Sequence, residues 1–127
     1  MNWLGKFTEF AYALLRIAAG FMFAFHGVQK IFGVLTTSQP AMWSQIWFGG
    51  IIELVGGAAI MLGIRTRFAA FLCSGMMAVA YFQFHWKFQG GAAFFPTVNK
   101  GELAALYCFV FFFIACRGGK MWSLGKD

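Results

Sequence analysis

Four apolar stretches, separated by short polar breaks, organise this chain. The first runs from about Phe10 to Phe32, with Lys6 and Glu9 ahead of it. The second runs from about Gln45 to Gly63, and Arg65 and Arg67 follow it. The third covers about Phe68 to Phe84. The fourth begins near Glu102 and ends at Cys116, before Arg117, Gly118, Gly119 and Lys120. A helix needs roughly 20 residues, within a range of about 17 to 25, to cross the hydrocarbon of a bilayer. The first two stretches meet that length easily and the third is adequate. The fourth is short, so it must borrow from its flanks or sit where the bilayer thins. The pattern predicts an all-α protein: a four-helix transmembrane bundle forming one domain over residues 1–127.

The breaks refine this picture. G-I-R-T-R between the second and third stretches is too short for anything but antiparallel neighbours. The first connection holds T-T-S-Q-P and Trp43. The last, from about His85 to Gly101, carries Trp86, Phe94, Phe95 and Pro96. That segment is too aromatic for a wet linker, and it is expected to lie on the membrane interface or to fold back as a lid. Glycines repeat at seven residues in the second stretch (Gly49 and Gly56, Gly50 and Gly57) and in the first (Gly20 and Gly27). Small residues on one helix face let membrane helices approach closely.

Composition agrees with the membrane reading. Of the 127 residues, 61% are hydrophobic, 20% aromatic and only 11% charged, against about 25% charged in a soluble domain. A cleaved signal peptide explains little, because the first stretch outruns a typical apolar core and others follow it. The net charge of +6 forms no basic run or stripe, so nucleic acid is not an expected partner; the lipid bilayer is. Lys6, Arg65, Arg67, Arg117, Lys120 and Lys126 flank one side, and Lys30, Lys87 and Lys100 the other. The excess puts both termini and the Arg65–Arg67 turn in the cytoplasm. Trp3, Trp43, Trp47, Trp86 and Trp122 fall at the expected interfaces. The cysteines Cys73, Cys108 and Cys116 form no C-x-x-C pair and read as small buried hydrophobes.

The informative residues are the polar ones at membrane depth. Glu53 sits inside I-I-E-L-V-G-G, where a carboxylate is costly without a partner. The first stretch contributes Arg16, His26, Gln29 and Lys30. At about 100° per residue, Lys30 lies about 40° and His26 about 80° from Arg16, on one face, while Gln29 points away but stays near His26. With a rise of about 1.5 Å per residue, His26 and Glu53 both lie about 9 Å below the outer ends of their helices. Lys30 sits a turn above, and His85 and Glu102 end and begin helices on that side. His26, Lys30, Glu53, His85 and Glu102 are therefore expected to converge on the outer half, with Glu53 bonded to Lys30 or His26. Such a cluster fits a polar network that fixes helix register, a site for a cofactor or ligand head group, or a proton relay. Nothing in the spacing calls for a metal. Glu102 also suits a helix N-terminus, and Arg16, Arg65 and Arg67 are expected to snorkel to headgroups.

The residues also resemble a known family. L-L-R-I-A-A-G-F-M-F-A-F-H-G-V-Q-K-I-F-G, E-L-V-G-G-A-A-I-M-L-G-I-R-T-R-F-A-A, N-K-G-E-L-A-A-L-Y and the tail G-G-K-M-W-S-L-G are similar to the DoxX family of small four-helix membrane proteins. Gly125 stands where that family's ending usually has Asp. The resemblance implies a bacterial inner-membrane protein and carries over the pattern Arg16, His26, Gln29, Lys30, Glu53, Arg67 and Glu102. It implies a membrane subunit or accessory of a redox system that is quinone-linked or serves sulfur or oxidative stress. A quinone is then the candidate cofactor, held by His26, Gln29, Lys30, Glu53, His85 and Glu102, and a redox enzyme is the candidate partner. The alternatives are a non-catalytic anchor or assembly factor, and a carrier of small solutes or lipids that would act as a homo-oligomer. No catalytic residue is assigned.

Overall fold

The computed structural model describes residues 2–127. Among them the only regular structure is helical: α1 (Thr8–Phe32), α2 (Gln45–Leu62), α3 (Thr66–Ala80), the one-turn α4 (Pro96–Asn99) and α5 (Glu102–Arg117). A 3₁₀ stretch, Asn2–Phe7, leads into α1, and α3 continues as a π-helical turn over Tyr81–Trp86. Three continuous stretches, Asn2–Phe32, Gln45–Leu62 and Thr66–Trp86, are long and apolar enough to cross a membrane. The chain is a multi-pass helical membrane protein. At 16 residues, α5 spans only about 24 Å against roughly 30 Å of hydrocarbon.

Two antiparallel helix pairs make the bundle. In the first, α1 and α2 meet backbone to backbone through the glycines. A Cβ on Gly20 would come within 2.6 Å of Met61 N and 2.7 Å of Gly57 O, and one on Gly57 within 2.5 Å of Ala24 N. Gly27 lies equally tightly against Gly50 and Leu54. In the second pair, α3 and α5 are joined by Ser74, whose hydroxyl donates to Cys108 O at 2.7 Å. Aromatic rings fill the wider space between α1 and α5. Phe23 packs on Tyr107 and Phe111 with centroids 5.2 and 4.8 Å away, and Tyr107 and Phe111 stack at 5.3 Å. Cys73 is buried in this core, while Cys116 is exposed.

Two of the three arginines expected to snorkel, Arg16 and Arg67, depart from the sequence expectation. Arg16 does not snorkel: it is fully buried. Its guanidinium donates to Ile60 O (2.7 Å) and Met61 O (3.0 Å) at the end of α2, and to Met121 O (2.8 Å) and Trp122 O (3.1 Å) in the C-terminal tail. The last carbonyls of a helix lack intrahelical partners and carry the negative end of its dipole, so a buried cation finds acceptors there without a carboxylate. Arg67 does the same for α5, donating to Ala115 O, Cys116 O and Arg117 O, and it pairs with Asp127 at 3.3 Å. Arg65 is exposed, and its backbone N–H donates to Lys126 O at 2.7 Å.

The tail thereby folds back beneath the bundle. Leu124 and Gly125 N–H groups bond Leu62 and Gly63 carbonyls, Tyr12 hydroxyl donates to Gly118 O at 2.6 Å, and Asp127 accepts from Gly119 N–H at 2.7 Å. Glu9 and Arg117 form an ion pair at the same end.

At the other end, the aromatic segment packs against α3's extension and not across the bundle. Trp86 contacts Phe88 and Phe94 (5.0 and 5.5 Å), and Phe82 stacks on Phe88 (5.4 Å). Asn99 ties the loop to Tyr81 and Ala93.

Removing the Arg16 cation should release the tail. Arg16→Met is expected to cost about 3 kcal/mol, because charged hydrogen bonds contribute roughly 1.5–3 kcal/mol and their carbonyl acceptors stay behind. The more exposed Arg67→Met should cost about 1 kcal/mol. Thermal unfolding in detergent measures the first effect, and faster trypsin cleavage at Lys120 and Lys126 reports the tail.

Candidate functional site

The glycine contact between α1 and α2 sets the register that brings Lys30 to Glu53. Lys30 Nζ lies 2.5 Å from Glu53 Oε1. The Glu53 side chain is almost wholly buried, at 4% exposure, and that of Lys30 is 33% exposed. A carboxylate at this depth needs a cation or a proton, and the first helix supplies the cation. Lys30 makes no other side-chain hydrogen bond among the described residues, although an ammonium has three N–H groups to give.

A cavity of about 580 Å³ opens beside this pair, in the half of the bundle away from the tail. Four elements contribute walls: Phe23, His26 and Lys30 from α1, Gln45, Phe48, Gly49, Ile52 and Glu53 from α2, Met76, Met77, Phe84 and His85 from α3 and its extension, and Lys100, Leu103, Ala104 and Tyr107 at α5. Pockets of roughly 300–1,000 Å³, apolar but carrying a few convergent polar groups, are the usual form of a small-molecule site. Here the polar groups are Lys30, Glu53, His26, His85, Lys100, Gln45 and Tyr107. Lys30 is matched by Glu53, whereas Lys100 has no carboxylate partner among the described residues. The surplus charge is therefore positive, and the site favours a ligand with acceptor or anionic oxygens.

Local structure explains how each group arrives. His26 sits one turn before Lys30, its ring edge-on to Tyr107 at 6.4 Å. The π-helical turn carries His85 to the cavity wall, and such widened turns recur at functional sites. Lys100 adopts a left-handed conformation (φ 64°) that ends α4 and leads into Gly101. Gly101 is obligatory for another reason: a Cβ there would meet the Tyr81 ring at 2.7 Å and His85 Cβ at 2.8 Å.

Of the six residues expected from sequence to hold a cofactor, His26, Lys30, Glu53 and His85 line this cavity together. Gln29 and Glu102 do not. Gln29 turns toward the loop after α1 and donates to Leu35 O at 3.3 Å, so it does not line the region beside His26 as expected. Glu102 stands in the first turn of α5, where its carboxylate accepts from Thr97 Oγ1 at 2.7 Å. It is exposed and faces the short α4, so the α5 face toward the cavity is that of Leu103, Ala104 and Tyr107. Sequence reasoning missed Lys100 and Tyr107. Lys100 was legible only as a flanking charge. Tyr107 had a signal: a hydroxylated ring among phenylalanines, one turn after Ala104 on the buried face of α5.

The DoxX family model matches residues 11–86. The chain belongs to the DoxX family. The matched region runs from the first turn of α1 to the end of α3's extension and so includes Lys30, Glu53, His26 and His85, while Lys100 and Tyr107 lie outside it. An uncharacterized protein of Haemophilus influenzae is 38% identical over 128 residues, covering 98% of this chain and 95% of that protein. No solved structure matches this DoxX-family chain.

The pair lends itself to a double-mutant cycle. Lys30→Met or Glu53→Gln alone strands one polar partner in the bundle, while Lys30→Met/Glu53→Gln together removes the charge from both. The double variant is expected to be more stable than the less stable single variant, with a coupling of about 1–3 kcal/mol. Thermal unfolding of the four proteins measures it; additive effects would show that the pair contributes nothing to the fold.

Proposed function

We propose that this DoxX-family protein is the membrane component of a quinone-linked redox system in the bacterial inner membrane, and that its outer cavity binds the quinone head. The observation that carries this reading is the cavity itself: about 580 Å³, walled by aromatic and aliphatic side chains, with Lys30, Glu53, His26, His85 and Lys100 on its lining. The donor set fits the group. A quinone presents carbonyl oxygens at opposite edges of a flat apolar ring, and the lining offers N–H donors from α1 and from the α3–α5 side with rings between them. A bound quinone would supply reversible two-electron chemistry. The chain's own part would be binding: Lys30, held by Glu53, would give an unused N–H to one oxygen, His85 or Lys100 would serve the other, and Phe23 and Tyr107 would supply apolar walls for the ring. Electrons then come from a partner enzyme or a diffusible reductant.

The reading takes the chain as one domain of four crossing helices with both termini in the cytoplasm. The clustering of Arg65, Arg67, Arg117, Lys120 and Lys126 with the tail at one end of the bundle supports that orientation under the positive-inside rule. It makes α5 a short span whose ends are covered by Arg67 and by the α4 loop. In a cysteine-free background, Asp127→Cys should react with a membrane-impermeant maleimide only after cell lysis, and Gly90→Cys in intact spheroplasts. The reverse pattern would invert the topology.

Binding of ubiquinone-1 to the purified protein, followed by tryptophan quenching, tests the site. Lys30→Ala and Glu53→Gln are each expected to weaken it by about tenfold, the equivalent of one charged hydrogen bond, measured on the folded fraction of each variant. Wild-type affinity in both variants would sink the assignment. A second reading, a non-catalytic anchor or assembly factor, draws on the short Lys30–Glu53 contact between α1 and α2. It predicts instead that the variants lower abundance and complex recovery together, with no separate loss of quinone binding.

A further inference from the structure

The seam between α2 and α3 changes along its length. Gln45, Gly49, Ile52 and Gly56 recur at helical spacing on α2: Gly56 faces Cys73, Gly49 faces Met76 and Gln45 bonds Gln83, while Ile52 and Ala80 line the cavity between them. Near the tail the seam is tight: a Cβ on Gly56 would come within 2.5 Å of Cys73 Sγ. Two turns outward, a Cβ on Gly49 would find its nearest neighbour, Met76 Sδ, at 3.9 Å. Beyond that the helices are bridged by a reciprocal amide pair, Gln45 Nε2 to Gln83 Oε1 at 2.9 Å and Gln83 Nε2 to Gln45 Oε1 at 3.2 Å. Between the tight contact and the amide bridge lie Gly49, Ile52, Met76 and Ala80, of which the glycine and the alanine leave the least side chain in the seam.

The cavity reaches the surface at this place. Phe48, Ile52, Val79 and Phe84 line it, yet each is more than 40% exposed, at 47, 41, 54 and 42%. Cavity-lining side chains this exposed, on both α2 and α3, point to an opening between the two helices. These positions are apolar and lie on the membrane-facing surface, so the opening looks into hydrocarbon and not into water. We infer that the α2–α3 seam is a lateral portal, by which one long apolar chain of a membrane-dissolved amphipath lies at Gly49 and Ala80 while its acceptor-bearing or anionic head occupies the cavity.

One chain is the occupant that fits. The opening lies beside two small residues, Gly49 and Ala80, and the cavity behind it is about 580 Å³, the size of a single small-molecule site, so one head with one chain is the occupant. The head end is set by charge: Lys100 has no carboxylate partner among the described residues and His26 and His85 line the same space, so oxygens turn inward and the tail outward. The Gln45–Gln83 bridge closes the seam at its outer rim, which keeps the path from opening directly to water. The inference deepens the ligand-site reading, in that the ligand arrives from the bilayer.

The test uses the full chain in nanodiscs and a saturated fatty acid carrying a mid-chain diazirine. Phe23 and Met77 line the cavity and are 0 and 8% exposed, so photoadducts on them require a chain inside. Phe109, 72% exposed, reports ordinary lipid contact. Two variants close the portal: Gly49→Leu/Ala80→Leu fills it, and Gln45→Cys/Gln83→Cys in a cysteine-free background is bridged by a short bis-maleimide. Each is expected to reduce adducts on Phe23 and Met77 by roughly tenfold while those on Phe109 hold. Gly75→Leu, where a Cβ meets nothing within 4 Å, should leave all adducts unchanged. Adducts on Phe23 and Met77 that persist with the portal closed would overturn the inference, as would their absence from the wild type or cross-linking of Gly49→Cys between two chains. Binding of tail-less ubiquinone-0 is measured in parallel. If it fails while the adducts remain portal-dependent, the lateral path stands and the quinone assignment falls.

Discussion

Two cations on one helix determine how this protein is put together. Arg16 and Lys30 lie on the same side of α1, and each reaches across to α2. Arg16 meets the carbonyls of Ile60 and Met61 at one end, and Lys30 meets the Glu53 carboxylate toward the other. Neither can be left bare at membrane depth, where water is not available to replace a lost partner. Between them the glycines let the two backbones touch. A slip of α2 by one turn would uncouple both cations and drive the glycine contacts into larger side chains. Register is thus over-determined, and the position of Glu53 beside the cavity follows from it.

The remaining polar contacts are distributed unevenly. Tyr12, Arg16, Arg67, Asp127 and the backbone of residues 118–126 knit the tail end into a continuous network. The other end carries a cavity, a π-helical turn, an amide bridge on the surface and an exposed aromatic loop. Stability in such a bundle is graded, with opening motions drawn from the part that has fewer buried contacts. A site for a ligand that must enter and leave belongs at the loosely held end, and that is where the cavity lies.

Much of this was legible in the sequence because hydrocarbon imposes simple demands. Apolar length located the helices to within a few residues, and seven-residue glycine repeats identified the α1–α2 face. The depth estimate brought His26 and Glu53 level, and a lone acid near a basic helix narrowed its partner to Lys30 or His26, of which Lys30 makes the contact. What escaped was contact made by the irregular parts. Nothing in residues 118–127 announces that they fold back under α2, so Arg16 read as a snorkelling cation when it is a buried cap for carbonyls distant in sequence. Arg67 escaped for the same reason, since its acceptors are the backbone ends of α5 and carbonyls leave no mark in composition. Glu102 was placed on the right side but credited with the cavity, because a helix start fixes depth and not the facing direction of its first turn. Lys100 entered the site through a left-handed backbone position that sequence pattern does not signal.

Holding register and holding a ligand are not rival roles for the Lys30–Glu53 pair. A buried salt bridge contributes little net stability over an apolar substitute, so register alone is a weak reason to keep two charges here when Gly20, Gly27, Gly50 and Gly57 already fix the helices. The contact also leaves capacity unused. Lys30 gives one hydrogen bond out of three, and the pair borders an open volume with the uncompensated Lys100 on the same lining. A polar network that serves structure alone is most stable when every member is satisfied. One that stops short of that beside a cavity, at the end of the bundle where the helices part, has the form of a binding site in which the carboxylate aims the ammonium and the ligand completes it.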